Sequence, residues 1–212
     1  AMRSVHEEGF LQLREVLPKV GTIRRASFQY AKYSSRYDKF KEGIIENAFN
    51  PEFSNGALMD IGVYCVHPLV RLFGMPKKII ADSLLLSNGV EGAGTILASY
   101  DGMQAELLYS KITNNRLPSQ IQGEDGTLVI DNITNICSVV FHDRKGNAET
   151  VIDLPPEHSL DGEVKDWLRM IETGEGVRED NECSLMELRV MDEARRQAGI
   201  VFPADLRKIT GC

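Results

Sequence analysis

The sequence has one tryptophan and four cysteines, and no C-x-x-C pair among them. Cys65, Cys137, Cys183 and Cys212 lie too far apart for a zinc site or a disulfide framework, so reduced packing thiols are expected. His6, His67, His142 and His158 show no H-x-x-x-H spacing, and no metal is expected. No apolar run approaches the roughly 18–20 residues of a membrane span, and AMRSVHEEGF carries no signal-peptide core, so a cytoplasmic location is the default. No long run of Lys or Arg occurs, and the net charge is -7; both argue against nucleic-acid and anionic-membrane partners. Glycine-rich phosphate loops are missing too. GVEGAG lies between strand patterns and opens no helix, GEGVRED follows a helix, and no Walker loop or G-x-S-x-G elbow appears.

What is present is ordinary for a globular chain: 212 residues, 42% hydrophobic and 26% charged, enough to bury a core. HEEGFLQLREVLP places Phe10, Leu13 and Leu17 on one helical stripe that stops at Pro18. In TIRRASFQYAKY, Ala26, Phe28 and Tyr30 alternate with Ser27 and Gln29, the pattern of a half-buried strand. Residues 34–55 read as a long polar-aromatic connection with at best a short helix over 42–48; a connection of that length is more often functional than idle. A helix then begins at an Asn55 or Ser54 cap and ends near Gly74.

Short β-rich runs follow, separated by Asp101-Gly102, Asp125-Gly126 and Lys145-Gly146-Asn147, which are hairpin signals. Consecutive hairpins make an antiparallel or mixed sheet, with no crossover helices evident for parallel pairs. Two helices close the chain. One carries Val164, Trp167, Leu168 and Ile171 at helical spacing; the other opens with a Ser184/Glu187 capping box and carries Leu188, Met191, Ala194 and Ala198 on one face. The fold class is α+β: one open, predominantly antiparallel sheet of six to eight strands with helices packed on one face, in a single domain over residues 1–212. Ile80, Leu84, Leu86, Ile96, Leu107 and Tyr109 place apolar groups on both sheet faces, so part of the open face is expected to meet a second copy of the chain.

One stretch, GALMDIGVYCVHP (56–68), carries Asp60, Tyr64 and His67 in an otherwise apolar helix. Steps of four and three residues put them on one face. Polar groups in so apolar a helix need partners or a cleft, so the stripe is either a buried network or a catalytic face. A carboxylate beside a phenol can orient a substrate hydroxyl, and the phenol exchanges protons readily only beside a cation. No lysine is close enough in sequence to supply one.

At SNGALMDIGVYCVHPLVRLFG the chain resembles the C-terminal domain of the Gfo/Idh/MocA oxidoreductases, whose signature reads G-G-G-x-L-x-D-[IV]-G-x-[HY]. EVKDWLRMIETG, DEARRQAGIVFPAD and the opening AMRSVHEEGFLQL are similar to that family in the same order, with residues 1–20 resembling the stretch that leads out of its Rossmann domain. The resemblance implies a two-domain enzyme that moves a hydride between NAD or NADP and a hydroxyl-bearing carbon of a sugar, inositol or dihydrodiol. The nucleotide domain and its Glu-Lys-Pro lysine are not in these residues, so a truncated chain, with no cofactor bound and no activity alone, is expected.

On the matched positions Asp60 is the family's substrate-side aspartate, and Tyr64 stands where many members have histidine. Tyr64 is then the proton donor or acceptor and Asp60 its orienting partner. His67, Arg36, Tyr37, Arg3 and His6 are the expected substrate-binding residues. The expected partners are a small sugar or polyol and a second copy of the chain, a dimer through the open sheet. A different class of function, a non-catalytic module that associates through the sheet, stays open. A plain sugar-binding role lacks stacked tryptophans, Trp167 being alone.

Overall fold

A computed structural model describes residues 2–156 and 160–206; His158 and Cys212 lie outside the described residues. A 3-10 turn (Arg3–His6) leads into helix α1 (Glu8–Val16) and strand β1 (Ile23–Ala31). Helix α2 (Ser35–Lys41), 3-10 turns at Asn47–Phe49 and Pro51–Phe53, a π-turn (Leu58–Gly62) and helix α3 (Val63–Phe73) come next. Seven strands follow: β2 (Lys78–Leu85), β3 (Glu91–Tyr100), β4 (Met103–Ser110), β5 (Ser119–Gly123), β6 (Gly126–Ile130), β7 (Ser138–Asp143) and β8 (Ala148–Asp153). Helices α4 (Asp161–Thr173), α5 (Val177–Ala198) and α6 (Pro203–Leu206) end the described chain.

The strands form one sheet in the order β2-β3-β4-β1-β5-β6-β7-β8. Its neighbours are antiparallel except β1 and β4, which run parallel with Phe28 opposite Leu107. That pair corrects the expectation that no crossover exists. The path from Ala31 to Met103 passes through α2, α3 and the β2–β3 hairpin, which together return the chain in the same direction.

Alternation decides the faces. Ala26 and Phe28 of β1, Ile96 of β3, Leu107 and Tyr109 of β4, and Ile121 and Leu128 point to the helical side and are buried. There they meet Val66, Leu69 and Val70 of α3 and Val190, Met191 and Ala194 of α5, all in one core. Each such side chain contributes roughly 1.5–3 kcal/mol by leaving water. The opposite parity remains uncovered. Ile80, Leu84, Leu97 and Leu108 are 40–55% exposed there, beside an Arg25–Glu106 ion pair of 2.7 Å.

Several local expectations are corrected. The short helix near residues 42–48 lies instead at Ser35–Lys41, because Ser34 caps it and Gly43, at φ 85°, stops it. Neither Asn55 nor Ser54 caps the helix after Gly56; the Glu91 carboxylate accepts from Leu58 N at 2.9 Å in their place. Ser184 and Glu187 form no capping box, since α5 starts turns earlier at Val177. In α5 Leu188 is 46% exposed, and Cys183 and Val190 join Met191 and Ala194 in the core. The apolar stripe of α4 also faces outward: Val164, Trp167, Leu168 and Ile171 are 47–62% exposed.

Candidate active site

The segment bearing Asp60 begins where two glycines let other groups close in. A Cβ at Gly56 would overlap the Glu91 carboxylate, and one at Gly62 would lie 3.0 Å from the Tyr109 ring. Glu91 is fully buried at the start of β3, and its hydrogen bond to Leu58 N satisfies an orphan donor of the helix start. Burial raises the Glu91 pKa, against the lowering effect of that hydrogen bond and of the Lys111 charge. The chain between Leu58 and Gly62 is wound as a π-turn, a wider coil that occurs frequently at functional sites.

On that turn Asp60 is part exposed, and its Oδ2 lies 2.7 Å from the ammonium of Lys111, which is 3% exposed. Lys111 also donates to the Ala48 carbonyl at 2.6 Å and sits 4.8 Å from the centre of the Phe49 ring. One turn beyond Asp60, the half-buried Tyr64 ring packs edge-on against Tyr30, centroids 5.6 Å apart. Burial raises the Tyr30 pKa; neighbouring Tyr64 and Asp60 raise it further, and Arg3 pulls it down. Arg3, Tyr30, Asp60 and Tyr64 therefore share one electrostatic neighbourhood, at the end of the sheet where β1 and β4 run side by side. A carboxylate fixed by an ammonium beside two phenols can hold a hydroxyl-bearing molecule and exchange a proton with it.

The remaining expected residues are spread out. The ring nitrogens of His67 both face α5: Nδ1 is 2.5 Å from Glu187 and Nε2 is 3.8 Å from the Cys183 sulfur. No ring nitrogen is then left for a substrate. His6 bonds Asp166 at 2.8 Å, in a cleft whose lining includes neither Asp60 nor Tyr64. Arg36 is exposed and 3.6 Å from Glu46. Tyr37 packs on Phe49, 5.7 Å between centroids, and so lies one ring away from Lys111.

Sequence reasoning missed Lys111, Glu91 and Tyr30. Lys111 follows an alternating strand as its first cation after the buried Ser110, and Glu91 stands between Val90 and Gly92 in an apolar strand start. A charge in such surroundings is a signal for a buried partner. Tyr30 shows only as the outer end of a core-facing alternation.

Nothing in this neighbourhood resembles a dinucleotide cradle. Gly92 and Gly94 sit inside β3, where Cβ atoms would press on Ile112 and on Tyr109, so these glycines serve packing rather than a phosphate.

Residues 10–129 match the family model described as the GFO/IDH/MocA C-terminal domain. Scyllo-inositol 2-dehydrogenase (NADP(+)) of Bacillus subtilis is 45% identical over 207 residues, 97% of this chain and 63% of the relative. Trans-1,2-dihydrobenzene-1,2-diol dehydrogenase of Xenopus laevis is 29% identical over 177 residues, 75% of this chain and 52% of the relative. A 3-ketoreductase from Actinomadura kijaniata, solved with TDP-benzene and NADP, superposes with a TM-score of 0.75 at 19% identity, over 93% of this chain and 60% of that one. In each case the chain spans less than two thirds of the protein it matches.

Proposed function

The chain belongs to the Gfo/Idh/MocA oxidoreductases, and from that premise we propose that it is the substrate-binding part of an NADP-dependent enzyme acting on a CH–OH carbon. The substrate class is a polyol, sugar or dihydrodiol, supported by the names of its relatives. The observation that carries the reading is Asp60 on its π-turn, ion-paired at 2.7 Å and part exposed, one turn from Tyr64.

In this reading Tyr64 exchanges a proton with the substrate oxygen while Asp60 accepts a hydrogen bond from a hydroxyl and fixes the sugar or polyol ring. The edge-on contact of Tyr30 restricts the rotation of Tyr64, which keeps its oxygen directed at the same place. Arg3, ion-paired with Glu7 at 2.9 Å, is the further candidate for substrate contact, through its position near Tyr30. The described residues offer no nucleotide cradle, so no step of the cofactor is assigned to them, and this chain by itself is proposed to be inactive. The uncovered sheet face, with Ile80, Leu84, Leu97 and Leu108, supports a homodimer through the sheet.

The test is turnover of NADP by the full-length protein on a panel containing scyllo-inositol, aldoses and a trans-dihydrodiol, repeated with Tyr64→Phe. Activity on one class, with a loss of roughly 10²–10⁴-fold in the variant, is expected. A folded variant with unchanged turnover would remove Tyr64 from the chemistry, and a silent panel would remove the substrate class.

A further inference from the structure

An ammonium with 3% exposure is costly to bury unless it is paired and hydrogen-bonded. A side chain needed only for packing at the end of β4 could be apolar. Lys111 instead has a partner on three sides: an ion pair with Asp60 Oδ2 at 2.7 Å, a hydrogen bond donated to the Ala48 carbonyl at 2.6 Å, and the face of Phe49.

The two ends of the ion pair differ in kind. Lys111 is dry, whereas the Asp60 side chain is 46% exposed and its second oxygen, Oδ1, has no partner among the described residues. One carboxylate oxygen is thus anchored and the other left open. The same ammonium also joins Asp60 to residues 48–49, the end of the polar connection on whose Phe49 ring Tyr37 and Phe40 pack. On the far side of the turn, Glu91 holds Leu58 N and presses against Gly56. Asp60 is therefore gripped from the residue that follows β4, and its turn from β3.

We infer that Lys111 is a positioning residue for the proposed reaction: it fixes the Asp60 carboxylate against the 48–49 turn so that Oδ1 is presented to a substrate hydroxyl. This rests on the reading of Asp60 as substrate-facing. Lys111 touches no substrate itself; it acts through Asp60, and the 48–49 turn is placed by the same ammonium.

Four versions of the full-length protein test it: wild type, Asp60→Asn, Lys111→Met and the double variant, with kcat and KM measured separately and folding followed by thermal melting. Each single change is expected to lower kcat/KM by roughly 10–100-fold, and the double variant to be no worse than Asp60→Asn, because the two residues act as one unit. Additive losses, or a folded Lys111→Met within twofold of wild type while Asp60→Asn is impaired, overturn the assignment of Lys111 alone. An unimpaired Asp60→Asn overturns the functional reading beneath it.

Should Lys111→Met fail to fold, the 15N signal of the Lys111 ammonium in the 212-residue chain takes its place. A slowly exchanging signal is expected in wild type, with exchange at least tenfold faster in Asp60→Asn. The same exchange rate in both overturns the pairing.

Discussion

His67 of α3 and Glu187 of α5, 120 positions apart in sequence, meet at 2.5 Å with the imidazole nearly buried. The contact fastens the two helices that cover the sheet. Burial works against a charged imidazole here, but the hydrogen bonds to Cys183 and Glu187 and the Glu187 carboxylate outweigh it, and the His67 pKa is pushed up to about 9.

That shift has a sign. The imidazole is worth more protonated in the folded chain than in the unfolded one, whose value is near 6.5. The stabilisation, on the order of 3 kcal/mol, is fully present below pH 6.5 and is lost as pH rises through about 9. Chemical denaturation between pH 6 and 10 should show stability falling across that window, and His67→Gln should flatten the fall. A wild-type curve without it would mean that the imidazole is neutral between the helices.

Gly56→Ala places a methyl group on the buried Glu91 carboxylate. A loss of about 1–3 kcal/mol is expected, the usual cost of forcing atoms into a filled core. Glu91→Gln keeps an oxygen for Leu58 N and should be close to neutral, whereas Glu91→Ala leaves that donor without its partner and should cost about 2–4 kcal/mol. Urea titrations of the three variants give the ranking, and a destabilised Glu91→Gln beside a stable Glu91→Ala would reverse it.

Tyr30→Phe removes a hydroxyl and keeps the ring that rests on Tyr64. Turnover by the full-length protein should fall by less than tenfold, against the far larger loss expected for Tyr64→Phe. Equal losses would assign the proton to the pair of phenols rather than to Tyr64.

Leu97→Asp and Leu108→Asp introduce charge into the uncovered sheet face, on neighbouring strands. If that face joins two copies, sedimentation should show the variants as monomers at concentrations where wild type is dimeric, with unchanged helical circular dichroism. A wild-type monomer at high concentration would refute the sheet-mediated dimer.

The sheet was legible because alternation is local: in β4, Met103, Ala105, Leu107 and Tyr109 point one way whatever surrounds them. The site was legible only in part. Asp60 and Tyr64 stand out as polar groups in an apolar helix, and a regular helix would align His67 with them. The π-turn at Leu58–Gly62 shifts Asp60 relative to α3, and within α3 His67 is taken up by Glu187 and Cys183 of α5, partners 120 and 116 positions away that no local pattern shows. Lys111 could not be found by spacing, because its bonds reach back 63 positions to Ala48 and as far as the π-turn at Asp60. The Ser184/Glu187 capping box misled for the opposite reason. It is a sound local pattern inside a helix already under way, with Glu187 engaged by a residue of another helix.

Trp167, the only tryptophan, sits 60% exposed on the outward stripe of α4. All indole emission of this chain therefore comes from one helix face, and from water-contacting surface. Emission should be red-shifted and open to collisional quenching by iodide. Anything that settles on Val164, Leu168 and Ile171 would move it to the blue and shield it. The chain thus carries a built-in optical gauge of whether α4 is covered, readable without a label and without any substrate in hand.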